Sequence, residues 1–180
     1  MDRIKFATVW LGGCSGCHMS FLDLDEWLLE LAGRAEVVYS PVVDIKEYPE
    51  GVDLVLVEGA VCNEDHLEMA HRLRQRSKLV VSFGDCAVTG NVTALRNPLC
   101  RAECLLRRAY LETAEVNPQI PQEKGIVPPL LDRVQPLHEV IPVDHFLPGC
   151  PPPADRIKAL LSQLLDGKPV QLTPEQIKFG

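Results

Sequence analysis

Seven cysteines stand in a chain of 180 residues, and four of them fall where a loop would leave a strand. Cys14 and Cys17 follow the β-prone run Ile4–Trp10, in Gly13-Cys14-Ser15-Gly16-Cys17. Cys86 comes after Lys78–Phe83 in Gly84-Asp85-Cys86, and Cys150 lies in Leu147-Pro148-Gly149-Cys150-Pro151. Thiolate sulfur is the natural ligand of zinc and of iron–sulfur clusters. Zinc sites draw their ligands from two local knuckles, whereas here only Cys14 and Cys17 are local. Glycine beside each cysteine (Gly13, Gly16, Gly84, Gly149) lets backbone amides approach sulfur, which a sulfide-rich cluster exploits. The pattern predicts one [4Fe–4S] cluster on Cys14, Cys17, Cys86 and Cys150. A zinc-stabilised α/β interaction module is the alternative from another class. Cys14-Ser15-Gly16-Cys17-His18 also has the C-x-x-C-H form of haem attachment. Haem, however, wants an exported, mostly helical chain and leaves Cys86 and Cys150 without a purpose.

The other three cysteines, Cys62, Cys100 and Cys104, read as small buried hydrophobes. A disulfide scaffold is not expected, because the cytosol keeps thiols reduced and an odd number cannot all pair. Glu58 ends the apolar run Asp53–Val57 at the edge that delivers the cysteines. It reads either as a solvated strand-end carboxylate or as a group beside the cluster. In the second role it would hold a proton or hydrogen bond, or replace sulfur on oxidised iron, which prefers hard oxygen.

The elements that must position these residues alternate. Strands read at Ile4–Trp10, Glu36–Tyr39, Asp53–Val57, Lys78–Phe83 and Glu139–Val143. Helices read at about His18–Ala32 with Gly33 as a stop, Asn63–Arg76 with Asn63 as the cap, Arg101–Leu111, and Pro153–Leu165. Such alternation means βαβ units, and predicts an α/β, flavodoxin-like, doubly wound parallel sheet in a three-layer sandwich with strand order 2-1-3-4-5. Residues 1–180 read as a single domain, with a Pro-rich loop at 117–136 and a polar tail at 168–180. A composition 46% hydrophobic and 24% charged suits a globular domain. The net charge of −7 argues against nucleic acid or an anionic membrane as partner. No apolar run approaches the ~20 residues of a membrane span. The opening MDRIKFATVW has no signal-peptide pattern, so a cytoplasmic location is expected.

Four motifs carry a family resemblance: Leu11-Gly12-Gly13-Cys14-Ser15-Gly16-Cys17, Val57-Glu58-Gly59-Ala60-Val61, Gly84-Asp85-Cys86-Ala87 and Pro148-Gly149-Cys150-Pro151-Pro152. In this order they resemble the small subunit of [NiFe]-hydrogenases. The related cluster subunit of respiratory NADH:quinone oxidoreductase has adjacent cysteines where Cys14 and Cys17 here are two residues apart. A short, single-cluster chain is similar to the small subunit of the cytoplasmic bidirectional NAD-reducing enzymes. The resemblance implies a large subunit carrying the Ni–Fe centre, and diaphorase subunits carrying FMN, iron–sulfur clusters and the NAD site. This chain lacks the large subunit's paired C-x-x-C nickel motifs, so it should not cleave H2 alone. NADP- or coenzyme F420-linked hydrogenases are the alternative, though their small subunits carry further cysteine motifs beyond the Cys150 position. Bound FMN on this chain is the lesser reading, since the cysteine loop stands where flavodoxins have a phosphate loop.

Overall fold

In the computed structural model, which describes residues 3–179, apolar side chains alternate across a parallel sheet. Along β1 (Ile4–Trp10), Phe6 packs into one layer while Ala7 and Val9 pack into the other. Leu54 and Leu56 of β3 (Val52–Glu58) join Phe6, and Val55 and Val57 join the opposite side. Both faces of these strands are therefore buried, which explains their near-continuous apolar sequence.

The sheet contains β2 (Ala35–Tyr39), β1, β3, β5 (Ser77–Phe83) and β7 (His145–Leu147) in that order, all pairs parallel. Counting only these five strands, this is the expected 2-1-3-4-5 order. Helices α1 (Gly16–Leu22), α2 (Trp27–Arg34) and α8 (Ala154–Leu165) contribute Cys17, Trp27, Leu31, Ile157, Leu160 and Leu161 to the core on one face. On the other, α3 (Glu64–Arg76) and the short α7 (Leu137–Val140) bury Ala70, Leu73 and Leu137. Asn63 caps α3 as expected, its side chain accepting the His66 N–H at 2.8 Å. No described helix is long and apolar enough to cross a membrane.

Several elements differ from expectation. The helix read as one from His18 to Ala32 is two, broken around Asp25, whose φ is +48°. Gly33 does not stop α2, which runs to Arg34 and passes directly into β2. The last strand is not Glu139–Val143. There, Leu137 and Ile141 meet the core one helical turn apart, and Pro142 has no N–H to give a ladder, so pairing starts only at His145. The end of the Pro-rich stretch is β6 (Leu130–Gln135), paired antiparallel with β4 (Val61–Asn63) in a small second sheet. Helix α6 (Ala102–Arg107) is shorter than expected and continues as a π-turn over Arg108–Glu112. The tail carries a capped 3-10 turn, Pro174–Ile177, and Val170 and Leu172 pack on the core.

Candidate functional site

At the carboxyl edge of the sheet, β1 and β3 are held together beyond their last ladder pair. Leu11 N–H donates to Glu58 O at 2.8 Å, and Gly12 and Ala60 exchange bonds of 2.9 and 2.8 Å. Gly59 makes this approach feasible. Its φ is +92°, and a Cβ there would lie 2.8 Å from the Leu11 carbonyl carbon. These bonds hold the end of β1, which runs on to Cys14 and Cys17, against the end of β3, which carries Glu58.

All four predicted cysteines line one small cavity, of about 50 Å3, together with Gly16, Glu58, Asp85, Gly149 and Pro151. Cys17 and Cys86 are buried at its floor, while Cys14 and Cys150 are exposed at its mouth. The floor is tight. At Gly84, φ is +83° and a Cβ would stand 2.1 Å from Cys17 Sγ, so only glycine leaves that sulfur its place. Asp85 joins the Cys86 and Cys150 loops: its Oδ1 accepts the Gly149 N–H at 2.6 Å, and its own N–H donates to Gly149 O at 2.9 Å. Ser20 Oγ donates to Pro152 O at 2.6 Å, tying α1 to the same loop. The Gly149 amide, expected to approach sulfur, is thus used to brace the loops instead.

Glu58 is not a solvated strand end. It is 1% exposed. Its Oε2 accepts the His18 N–H at 2.9 Å and contacts His18 Nδ1, and its Oε1 accepts the Cys17 N–H at 3.4 Å. Ser15, the residue before α1, makes no side-chain cap, so Glu58 from a neighbouring strand caps that helix.

The electrostatics of the cavity are one-sided. Burial pushes the Cys17 thiol well above its usual range, and Glu58, Cys86, Cys14 and Cys150 add to the rise. Cys86 is pushed up to about 11 by burial, then by Cys14, Cys150, Glu58 and Asp85. Among the described residues, no lysine or arginine lines the cavity. Four sulfurs and two carboxyl side chains around one small space form a donor set that fits a cationic metal group, which would offset the repulsion and hold the thiols ionised. Among the described residues, no three His, Cys, Asp or Glu side chains converge closely enough to hold a single metal ion.

The remaining cysteines lie elsewhere. Cys62 is half-buried on β4, its Sγ donating to Ala60 O at 3.4 Å, and burial raises its pKa, as suits an inert thiol. Cys100 and Cys104 correct the expectation: they form a disulfide at the start of α6, with Cys104 exposed. Spacing of four residues at a helix start brings the two sulfurs together. Sequence reasoning also missed Asp85, and it missed Asn91, whose Nδ2 donates to Cys150 Sγ at 3.3 Å.

A family model described as NADH ubiquinone oxidoreductase, 20 Kd subunit, matches residues 14–164. One subunit of the F420-non-reducing hydrogenase of Methanothermobacter marburgensis is 40% identical over 178 residues, covering 95% of this chain and 56% of its own length. The delta subunit of the NAD-reducing hydrogenase HoxS of Cupriavidus necator is 39% identical over 176 residues, covering 94% of this chain and 82% of its own. The chain thus spans a little over half of the first relative and most of the second. A chain of the crystal structure of NAD+-reducing [NiFe]-hydrogenase in the H2-reduced state superposes with a TM-score of 0.94 at 37% identity, covering 99% of this chain and 100% of that one. The chain belongs to the NADH ubiquinone oxidoreductase 20 Kd subunit family and, within it, to the small hydrogenase subunits.

Proposed function

We propose that this chain is the electron-relay small subunit of a cytoplasmic NAD-reducing [NiFe]-hydrogenase, with Cys14, Cys17, Cys86 and Cys150 holding one [4Fe–4S] cluster. The observation that carries the reading is the convergence of these four side chains, from three separate loops, on a single cavity without a lysine or arginine in its lining. A cluster bound there supplies one-electron redox chemistry at the sheet edge. The protein's part is positional. Gly84 gives room to Cys17 Sγ, Asp85 locks the Cys86 and Cys150 loops together, and Glu58 fixes the first turn of α1.

The exposed mouth, with Cys14 and Cys150 on its rim, is the side on which a large subunit carrying Ni–Fe would sit. The Pro-rich arm adds a groove of about 540 Å3 between α6 and the segment Ile120–Leu130. Diaphorase subunits with FMN, iron–sulfur clusters and the NAD site complete the route. The full-length superposition on a chain of an NAD+-reducing enzyme supports that acceptor.

Anaerobic purification tests the reading. The full chain should be brown and contain close to four iron and four sulfide, and Cys86→Ala should lose most of both. A colourless protein with one zinc, or an undiminished iron content in Cys86→Ala, would sink it.

A further inference from the structure

We propose that Asn91 is a positioning residue that raises the reduction potential of the group held by Cys150, through the hydrogen bond from its amide to the Cys150 sulfur. The inference rests on the cluster reading above and deepens it. Asn91 is not part of the cavity lining, yet its Nδ2 donates to Cys150 Sγ at 3.3 Å. Its place is built rather than incidental. Helix α4 (Asp85–Thr89), which carries Cys86, ends at Gly90 with φ +84° and the Gly90 N–H bonded to Cys86 O at 3.0 Å. A Cβ on Gly90 would meet Ala94 Cβ at 2.8 Å, so the reversal requires glycine. Asn91 follows at φ +34°, a conformation few residues but asparagine and glycine accept. Its N–H donates to Thr89 Oγ1 at 3.3 Å, and that hydroxyl donates to Asp85 O at 2.9 Å. A chain of bonds therefore runs from the Asp85 carbonyl through Thr89 to the backbone of Asn91, the residue whose side chain reaches Cys150.

Sulfur bound to iron gains negative charge when the cluster is reduced. A donor aimed at it stabilises the reduced form more than the oxidised one, which raises the potential. The side chain is also suited to this and to little else: a carboxylate would repel the sulfur, and an aliphatic group would leave it without a donor.

The test is a redox titration of the anaerobically purified full chain, followed by its electron paramagnetic resonance. Asn91→Gly keeps the backbone conformation and removes the donor. It should retain the iron of the parent, with the ratio of reduced to oxidised cluster at fixed potential falling about three- to tenfold. The upper end corresponds to about 59 mV for a one-electron couple. Asn91→Asp should lower the ratio further, because it puts negative charge beside the sulfur. Parental potentials in both variants at full iron overturn the inference and leave the cluster reading standing. Loss of iron from Asn91→Gly overturns it too, since the role assigned is tuning and not retention. A parent chain without iron overturns both.

Discussion

Glu58 Oε2 receives the backbone N–H of His18 at 2.9 Å and also meets the imidazole Nδ1 of the same residue, so one histidine holds one carboxylate through main chain and side chain together. With Oε1 on the Cys17 N–H, both oxygens are engaged by α1, the helix that carries a cavity sulfur. A carboxylate fixed there does two things at once. It places Cys17, and it puts negative charge at the wall of the cavity.

Glu58→Gln separates these two effects. Glutamine keeps the Oε1 acceptor and the shape, but brings an NH2 group against the His18 N–H. A buried donor left unmet costs about 1–3 kcal/mol, which urea denaturation should detect. With the negative charge gone from the cavity wall, the cluster midpoint should move upward at unchanged iron content. A midpoint and an H2-dependent NAD reduction both identical to the parent would show that Glu58 has no part in the chemistry.

Asp85 offers a second check on the architecture. Its buried bond to the Gly149 N–H, 2.6 Å long, links the loops of Cys86 and Cys150. Asp85→Ala should destabilise the chain by about 2 kcal/mol, the loss expected for a hydrogen bond to a charged group. It should also slow cluster assembly, measured as iron incorporated per unit time. Asp85→Asn retains an acceptor oxygen and should recover much of both. Equal iron uptake in all three proteins would mean that the loops hold their spacing unaided.

The Cys100–Cys104 disulfide supplies the control. Cys100 and Cys104 contribute nothing to the cavity lining. The double variant Cys100→Ser, Cys104→Ser should therefore bind as much iron as the parent, with the same resonance spectrum. A loss of iron comparable to that of Cys86→Ala would contradict the assignment of the four ligands.

How much of this could be read in the sequence depends on how local each cause is. The four cysteines were legible because a parallel sheet delivers every strand's carboxyl end to one edge, so strand ends alone place Cys14, Cys17, Cys86 and Cys150 together. The burial of Glu58 was not, since a strand-end carboxylate looks the same in sequence whether solvent or a helix N-terminus meets it. Asn91 and Asp85 act across loops distant in sequence, and only the turn at Gly90 and the brace at Gly149 bring them into reach. The strand β6 was hidden by the prolines that precede it, Pro128 and Pro129, which mark an irregular chain but do not forbid pairing one residue later. Prolines also misled at β7: the apolar run Val140–Val143 looked like a strand, yet Pro142 moves the pairing on to His145.

Asp144 gives the last prediction, and concerns the strand that leads to Cys150. Its Oδ2 accepts the Val80 N–H at 2.7 Å and an Arg74 N–H at 2.7 Å, while its own N–H donates to Val80 O at 2.9 Å. These bonds set the register at which β7 joins β5. Partial burial alone would raise the pKa of this carboxyl, but the bonds from Arg74 and Val80 and the charge of Arg74 outweigh it and hold the pKa below the ordinary value of 3.8. The folded chain therefore binds this proton less readily than the unfolded one, and the stabilisation is present above about pH 4. It disappears as pH falls through the depressed folded-state pKa. Asp144→Asn removes the charge while keeping an acceptor oxygen. At pH 7 it should be less stable than the parent by about 1 kcal/mol, a modest figure because the side chain is partly open to solvent. Urea midpoints taken from pH 7 down to pH 3 should show the gap between the two proteins closing as acid neutralises the parent's carboxylate. A gap that stays constant over that range would mean that Asp144 contributes through shape alone.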